Sequence, residues 1–387
     1  MPSCTNITIT PGFWKGQIPA ISSKSQAHRI LILSAFTEQT TKIHLNCISE
    51  DIAATVDCLQ QLGANIRPFD SGYEITPIAE IPPKAVLNVR ESGSTLRFLL
   101  PIVGALGVDA TFLLSGRLGS RPLSPLWEEM ERMGCALYQE ENLIHVQGRL
   151  RDGEYKISGD VSSQFISGLL LAGFIRNGIS VKVTGKLESQ YYVDMTKSAI
   201  ARFQNNPARE IHIEGDWSNA AFFLCANALG SDVTVTGLRE DSLQGDRLVL
   251  QCLDRLCSFC TISAADIPDL IPVLAVVAAC KHGAVFTQIN RLRWKESDRV
   301  QSIIDMITAL GGRAEAAQNT LTIYPHPLTG GIVDSHGDHR IAMAAATAAT
   351  ICSEPVTILN AQAVNKSYPH FWEDCRRLGG QYEQYIR

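Results

Sequence analysis

Asp338-His339-Arg340-Ile341-Ala342-Met343-Ala344-Ala345-Ala346-Thr347-Ala348-Ala349-Thr350-Ile351 is the stretch from which the fold can be read. After three polar residues it carries no charge, and its small and apolar side chains cover every face a helix of 3.6 residues per turn could present. A helix of that kind has no side for water. At 11 residues from Ile341 to Ile351 it falls well short of the ~20 a bilayer requires, so it belongs inside a globular domain. A β-rich segment, Pro355–Leu359, follows it.

Five more stretches repeat this plan of a polar start and a nearly unbroken small-apolar run: Ser23–Phe36, Glu91–Leu106, Asp160–Ile175, Asp216–Leu229 and Asp266–Cys280. Each leads into a β-rich segment: Lys42–Asn46, Thr111–Ser115, Ser180–Thr184, Asp232–Thr236 and Ala284–Ile289. Between them runs a second series whose apolar residues recur at helical spacing beside a charged face, as in Leu126–Met133 with Glu128, Glu129, Glu131 and Arg132. In the clearest copies a Gly follows where a left-handed residue would end the helix, and an alternating strand pattern comes next. The repeat is therefore a buried helix, a strand, an amphipathic helix and hairpin strands, recurring every 50 to 70 residues or so. Six copies in two groups of three give an α/β protein of two similar domains, each of three repeated units around buried helices. A plain doubly wound sheet would not alternate the two helix types so regularly.

The whole chain has 387 residues, 45% hydrophobic and 19% charged, enough for two cores. Its 34 Lys+Arg against 39 Asp+Glu leave a net charge of −5, so no overall basic field draws it to nucleic acid, and any anion must be held by a local cluster. Eleven irregularly spaced cysteines without a preceding signal peptide read as reduced thiols, and the expectation is a soluble, cytoplasmic protein.

The polar starts of the buried helices carry the chemistry: Ser23-Lys24-Ser25 with Arg29, Glu91-Ser92-Gly93-Ser94 with Arg97, Ser162-Ser163-Gln164, and Asp338-His339-Arg340. Free N–H groups and the helix dipole favour anions there, and Gly93 admits a ligand close to the backbone. Capping alone explains a Ser or Asp at such a position. It does not explain Lys24, Arg29, Arg97 and Arg340, because a cation near a helix N-terminus opposes the dipole unless an anion offsets it. Loops add Arg121, the cluster Lys295-Glu296-Ser297-Asp298-Arg299, and Lys366. No phosphate-binding glycine loop or His-Glu-x-x-His is present, Cys257-Ser-Phe-Cys260 has no second pair, and Arg340 weighs against a metal between His336, His339, Asp334 and Asp338.

Taken together, Ser23-Lys24-Ser25, Gly93 with Arg97, Arg121-Pro122, Ser162-Ser163-Gln164, Ile267-Pro268-Asp269, Lys295 to Arg299, Asp338-His339-Arg340 and Lys366 resemble, in order, the enolpyruvyl transferases, and within them the 5-enolpyruvylshikimate-3-phosphate synthases. The resemblance implies the family's inside-out α/β barrel domains of βαβαββ-type units. It implies transfer of the enolpyruvyl group of phosphoenolpyruvate to shikimate 3-phosphate by addition and elimination, without metal or organic cofactor. Lys24, Ser25, Arg29, Ser162, Ser163, Ser189 and Lys295 match its shikimate-phosphate contacts, and Tyr192 its stacking tyrosine. Lys24, Arg121, Gln164, Arg299, Arg340 and Lys366 match those around phosphoenolpyruvate, with Gly93 closing that side. Asp269 matches the base at the hydroxyl and Glu296 the donor to the methylene, and Lys24 would stabilise developing charge.

It further implies domains at 1–18 plus 217–387 and at 22–214, an active site in the cleft between them that closes on ligand, small-molecule partners, a monomer, no nucleic acid or membrane partner, and inhibition by glyphosate. The sequence departs from the pattern at Ala27, His28, Glu91, Tyr191 and Asn290-Arg291-Leu292-Arg293-Trp294. Two rival readings are the sister transferase acting on UDP-N-acetylglucosamine, whose loop cysteine is missing from Gly116–Ser120, and an inactive phospho-ligand scaffold, against which Lys24, Asp269, Glu296 and Lys366 stand together.

Overall fold

A computed structural model describes residues 5–205 and 209–386. The chain forms two compact units, one of Ser22–Glu214 and one of Met1–Ile21 with Gly215–Arg387. Twelve α-helices of two kinds occur among the described residues. The buried kind comprises α1 (Lys24–Ala35), α3 (Gly93–Leu106), α5 (Ser163–Ile175), α7 (Trp217–Ala228), α9 (Ile271–Cys280) and α11 (His339–Ala349); the half-exposed kind comprises α2 (Glu50–Gln61), α4 (Leu126–Arg132), α6 (Gln190–Asn205), α8 (Val249–Arg255), α10 (Arg299–Ala309) and α12 (Phe371–Arg377). All residues of α11 are buried, as are Ile271–Ala279 of α9, as the missing polar face requires.

Four of the six repeats complete a four-stranded sheet of one pattern, a parallel pair followed by two antiparallel pairings. In the unit of residues 22–214 these are Glu210–His212, Thr41–His44, Gly72–Thr76, Asn65–Phe69, and Lys84–Arg90, Asp109–Leu114, Leu143–Gly148, Cys135–Glu140. In the other unit Cys260–Ser263, Ala284–Thr287, Thr320–Tyr324 and Arg313–Ala317 form the same ladder. There the last sheet takes its hairpin pair from opposite ends of the sequence, Thr5–Thr10 against Gln381–Ile386.

The hairpin expected in every copy is missing from two among the described residues. Gly153–Ser158 pairs only with Ile179–Thr184, and Lys15–Pro19 only with Asp232–Thr236, both parallel. In the second case residues 22–214 are inserted between a strand and the helix that follows it in the repeat.

Within each unit the buried helices pack on one another: α7, α9 and α11 mutually, and α1 and α5 on α3. Small residues set how closely. A Cβ built on Gly168 of α5 would lie 2.3 Å from the Arg97 carbonyl oxygen of α3, so only glycine permits this crossing. Five of the six buried helices are capped by a side chain, from Ser23, Ser92, Ser162, Asp216 and Asp338. The exception is α9, expected to begin near Asp266. It begins at Ile271 behind Leu270, which has no capping side chain, and Asp269 is left to make other contacts. No helix among the described residues is long and apolar enough to cross a membrane. The ten cysteines described are free thiols, and Cys4 lies outside the described residues.

Candidate functional site

The sequence-singled residues gather into one cluster in each unit. In the unit of residues 215–387 the centre is Arg299, the first residue of α10 and 1% exposed. Its Nε donates to Asp338 Oδ2 at 2.8 Å, Nη1 to Asp269 Oδ1 at 2.5 Å, and Nη2 to Glu296 Oε2 at 2.7 Å. Three carboxylates from three parts of the chain thus share one guanidinium. Burial alone would weaken the Arg299 charge, but the charges of Asp338, Glu296 and Asp269 outweigh it and push its proton affinity up. Removing one partner of so buried an assembly leaves an uncompensated charge.

Asp269 has two further cations, Lys295 Nζ at 3.4 Å and Arg340 Nη2 at 3.9 Å. Burial pushes its carboxyl up, yet Lys295, Arg340 and Arg299 together hold it well below the usual carboxylate range. It is ionised and acceptor-only at neutral pH. Lys295 is pushed down to about 8, first by burial, with Asp269 opposing and Arg299 and Arg291 adding. Arg340 is 4% exposed; its Nη1 donates to the Ser218 carbonyl at 3.0 Å, at the start of α7. Lys366 is buried, and the hydroxyl of its neighbour Ser367 reaches Asn219 Oδ1 at 3.4 Å, beside that same helix start.

In the unit of residues 22–214 the starts of α1, α2, α3 and α5 are joined by polar contacts. Lys24 Nζ pairs with Asp51 Oδ2 of α2 at 2.7 Å. Arg97 of α3 donates to Gln164 Oε1 at 3.2 Å and to the Pro122 carbonyl at 3.3 Å, and Gln164 Nε2 donates to Ser94 Oγ at 2.9 Å. A Cβ on Gly93 would meet Arg97 Nη1 at 2.7 Å and Arg121 Nη1 at 2.9 Å. The missing side chain at Gly93 is therefore what lets two guanidinium groups approach the α3 start. Ser162 caps α5 and Ser163, buried, is its first residue.

Arg29, matched to a substrate contact, is 2% exposed and committed to protein: Nε to Thr196 Oγ1, Nη1 to the Ser25 carbonyl, and Nη2 to Ser167 Oγ and the Tyr192 carbonyl. It ties α1 to α6 through these bonds, beside Ser25 and Tyr192. Ser189, before α6, is buried with φ +55°, an uncommon conformation for a non-glycine residue. The cations at the helix starts, which capping left unexplained, thus have protein partners: Lys24 has Asp51, Arg97 has Gln164 and Pro122, and Arg340 has Ser218 and Asp269.

Several residues here had no distinguishing signal in the sequence. Asp51 sits in an ordinary acidic first turn of α2. Asp338 stands in the sequence as a polar helix start and part of a motif, but not as the partner of Arg299, which it holds while accepting from Ser297 Oγ at 3.2 Å. Behind the α3 start runs a chain from His28 Nδ1 to Thr55 Oγ1, Thr95 Oγ1 and Ser92 Oγ, each step 2.7 Å. Burial, with Lys24 and Arg29 adding and Asp51 opposing, pushes His28 down to about 3, so the ring is neutral. Asp334, His336, Asp338 and His339 do not form one metal-binding group: Asp338 is taken by Arg299, while exposed His336 lies 3.5 Å from Asp305.

Comparison with known proteins identifies the family. The family model for EPSP synthase (3-phosphoshikimate 1-carboxyvinyltransferase) matches residues 10–266 and 254–375. Relatives named 3-phosphoshikimate 1-carboxyvinyltransferase include one from Clostridium novyi, 35% identical, and one from Clostridium perfringens, 37% identical, each over 97% of this chain and 98% of the relative. Among solved structures, EPSP synthase from Acinetobacter baumannii aligns with TM-score 0.79 over 98% of this chain and all of that one, at 24% identity. The enolpyruvyl transferase NikO from Streptomyces tendae aligns with TM-score 0.72 over the full length of both chains, at 16% identity. At such identities these two structures speak for the fold alone. On its sequence relatives, the chain belongs to the EPSP synthase (3-phosphoshikimate 1-carboxyvinyltransferase) family.

Proposed function

We propose that this chain transfers the enolpyruvyl group of phosphoenolpyruvate to the 5-hydroxyl of shikimate 3-phosphate and releases phosphate, a step of aromatic amino-acid biosynthesis in the cytoplasm. The observation that carries the reading is Arg299, which holds Asp269 and Glu296 on its two terminal nitrogens. Addition across an enol needs one group to take the hydroxyl proton and another to protonate the methylene, at a fixed separation. Glu296 takes up a proton from solvent as the substrates bind; in the first half, the 5-hydroxyl oxygen bonds to C2 of phosphoenolpyruvate as its proton passes to Asp269, and the Glu296 carboxylic acid protonates C3. In the second half, C3 returns its proton to Glu296, and phosphate leaves C2 with the proton from Asp269.

The depressed carboxyl of Asp269 suits a resting state in which it is always charged. Substrate anions that draw Lys295 and Arg340 towards themselves would relieve that depression and raise its basicity as chemistry begins. Lys295, with Ser25, Ser162, Ser163, Ser189 and Tyr192, is assigned to shikimate 3-phosphate. Arg121, Gln164, Arg340, Lys366 and the Gly93 backbone are assigned to phosphoenolpyruvate, with Lys24 shared and stabilising the charge of the intermediate. Arg29 is assigned to shikimate 3-phosphate and Arg299 to phosphoenolpyruvate, beside the protein contacts by which they hold their neighbours in place. The two clusters act on one pair of substrates, which requires the two units to close on ligand; small-angle scattering that shows no compaction with both substrates would remove that element. We assign a monomer with small-molecule partners only, and glyphosate as a competitor of phosphoenolpyruvate.

The test is phosphate release from phosphoenolpyruvate with each acceptor in turn. Release with shikimate 3-phosphate and none with UDP-N-acetylglucosamine supports the reading; the reverse assigns the sister reaction, and no release with either leaves a binding scaffold.

A further inference from the structure

His44, Glu210 and His212 stand apart from both clusters. Strands Thr41–His44 and Glu210–His212 pair in parallel with His44 directly opposite His212. Residues two apart on a strand share a face, so Glu210 lies on the same side as His212. The two imidazoles stack with centroids 4.2 Å apart and planes 10° from parallel. One ligand atom from each of the three residues lies within 4.8 Å of the others, the one such His/Cys/Asp/Glu group among the described residues.

The hydrogen bonds of His44 favour a cation here. Its Nδ1 lies 2.8 Å from Ser71 Oγ and its Nε2 lies 2.5 Å from Glu210 Oε1. When Nδ1 carries the ring proton and donates to Ser71, the Nε2 lone pair faces a carboxylate, and only a proton or a metal ion can sit between two acceptors. A ring nitrogen fixed by an outer hydrogen bond, with the other aimed at an anionic oxygen, is the usual preparation of a metal-binding histidine. Two imidazoles and a carboxylate suit Zn²⁺ and its neighbours in the transition series, with water completing a tetrahedron. Bonds of about 2.0–2.1 Å at tetrahedral angles place ligand atoms ~3.3 Å apart, so Glu210 must withdraw by ~0.8 Å. With its side chain 59% exposed, it is free to do so.

The geometry points to a transition-metal site formed by His44, Glu210 and His212 that clips the three-residue edge strand Glu210–His212 to its neighbour. That edge strand is held by few backbone bonds, and a metal crosslink would stabilise it. The site is independent of the transfer reaction and of the residues assigned to it.

The experiment is titration of the full-length protein with Co²⁺ and then Zn²⁺, read by the visible Co²⁺ spectrum and by Tm. The expected result is one equivalent of Co²⁺ in a nitrogen and oxygen environment without the near-ultraviolet sulfur bands that exposed Cys257 would give, and its displacement by Zn²⁺ with a rise in Tm. His212→Ala and His44→Ala are expected to lower the Co²⁺ association constant at least ~10-fold, and Ser71→Ala to lower it less. His212→Ala, on an exposed ring, should keep the fold and the turnover number of the parent while losing the Zn²⁺-dependent rise in Tm. Absence of Co²⁺ binding up to about 1 mM, sulfur charge-transfer bands, or unchanged affinity in both histidine variants would overturn the assignment.

Discussion

The Arg299 cluster and the Arg97 cluster both lie at helix starts, yet their contacts differ in kind. Around Arg299, three cations, Lys295, Arg299 and Arg340, face three carboxylates, Asp269, Glu296 and Asp338. Around Arg97, the described contacts include bonds from its guanidinium to the Gln164 amide and the Pro122 carbonyl, Arg121 beside the same glycine, and Lys24 paired with Asp51. A set of acids and bases that is balanced internally can move protons without a large change in local charge. The contrast can be tested at named residues.

The largest effect is expected at Asp269. Asp269→Ala should lower turnover by about 10²–10⁴-fold, the usual span for loss of a general acid or base, with KM for both substrates nearly unchanged. An unchanged turnover number would remove it from the mechanism. Next in size is Arg299→Met, which strands three carboxylates and should cost about 3–5 kcal/mol of stability, read as a lower urea midpoint at constant m-value. A variant as stable as the parent would show that the carboxylates rearrange or take up protons without cost.

Gly93→Ala probes the other cluster. Its Cβ meets the far ends of two guanidinium groups at 2.7 and 2.9 Å, and these can swing aside. Stability should therefore change by no more than ~0.5 kcal/mol. The KM for phosphoenolpyruvate and the inhibition constant for glyphosate should both rise, by about 10-fold if the displacement costs about 1–2 kcal/mol. Unaltered glyphosate inhibition would separate Gly93 from that ligand.

The smallest effect is a pH limb. A lysine whose ammonium titrates at about 8 is charged below that pH and neutral above it, so kcat/KM for shikimate 3-phosphate should fall as pH rises through about 8. Lys295→Arg, which stays charged, should abolish that limb and leave any acidic limb in place. A limb that persists in the variant belongs to another group.

Much of this was legible in the sequence because the signals are local. The uncharged face-to-face run Ile341–Ile351 could only be a buried helix, and Leu126–Met133 with its glutamates only a half-exposed one. Caps such as Ser92 and Asp338 stood where the periodic runs begin. The shortened repeats were harder to see, since whether a hairpin follows α6 or α8 depends on which strand finds a partner. The helix α9 begins later than the polar start at Asp266 predicts, at Ile271, while tertiary contacts hold Asp269 to Lys295 and Arg299.

By itself, then, the sequence determined the helix types, their polar starts, the order of the motifs and the family, all of which rest on spacing within a few residues or on the order of short segments. The partners of each charge were decided by tertiary structure alone. Arg29, Arg299, Arg121 and Arg340 read alike in the sequence, as cations for a ligand; in the fold Arg29 bonds to α6, Arg299 to an aspartate 39 positions away and Arg340 to the start of α7. A charge takes its role from its burial and from what lies within hydrogen-bonding distance, and both are set by contacts between distant parts of the chain.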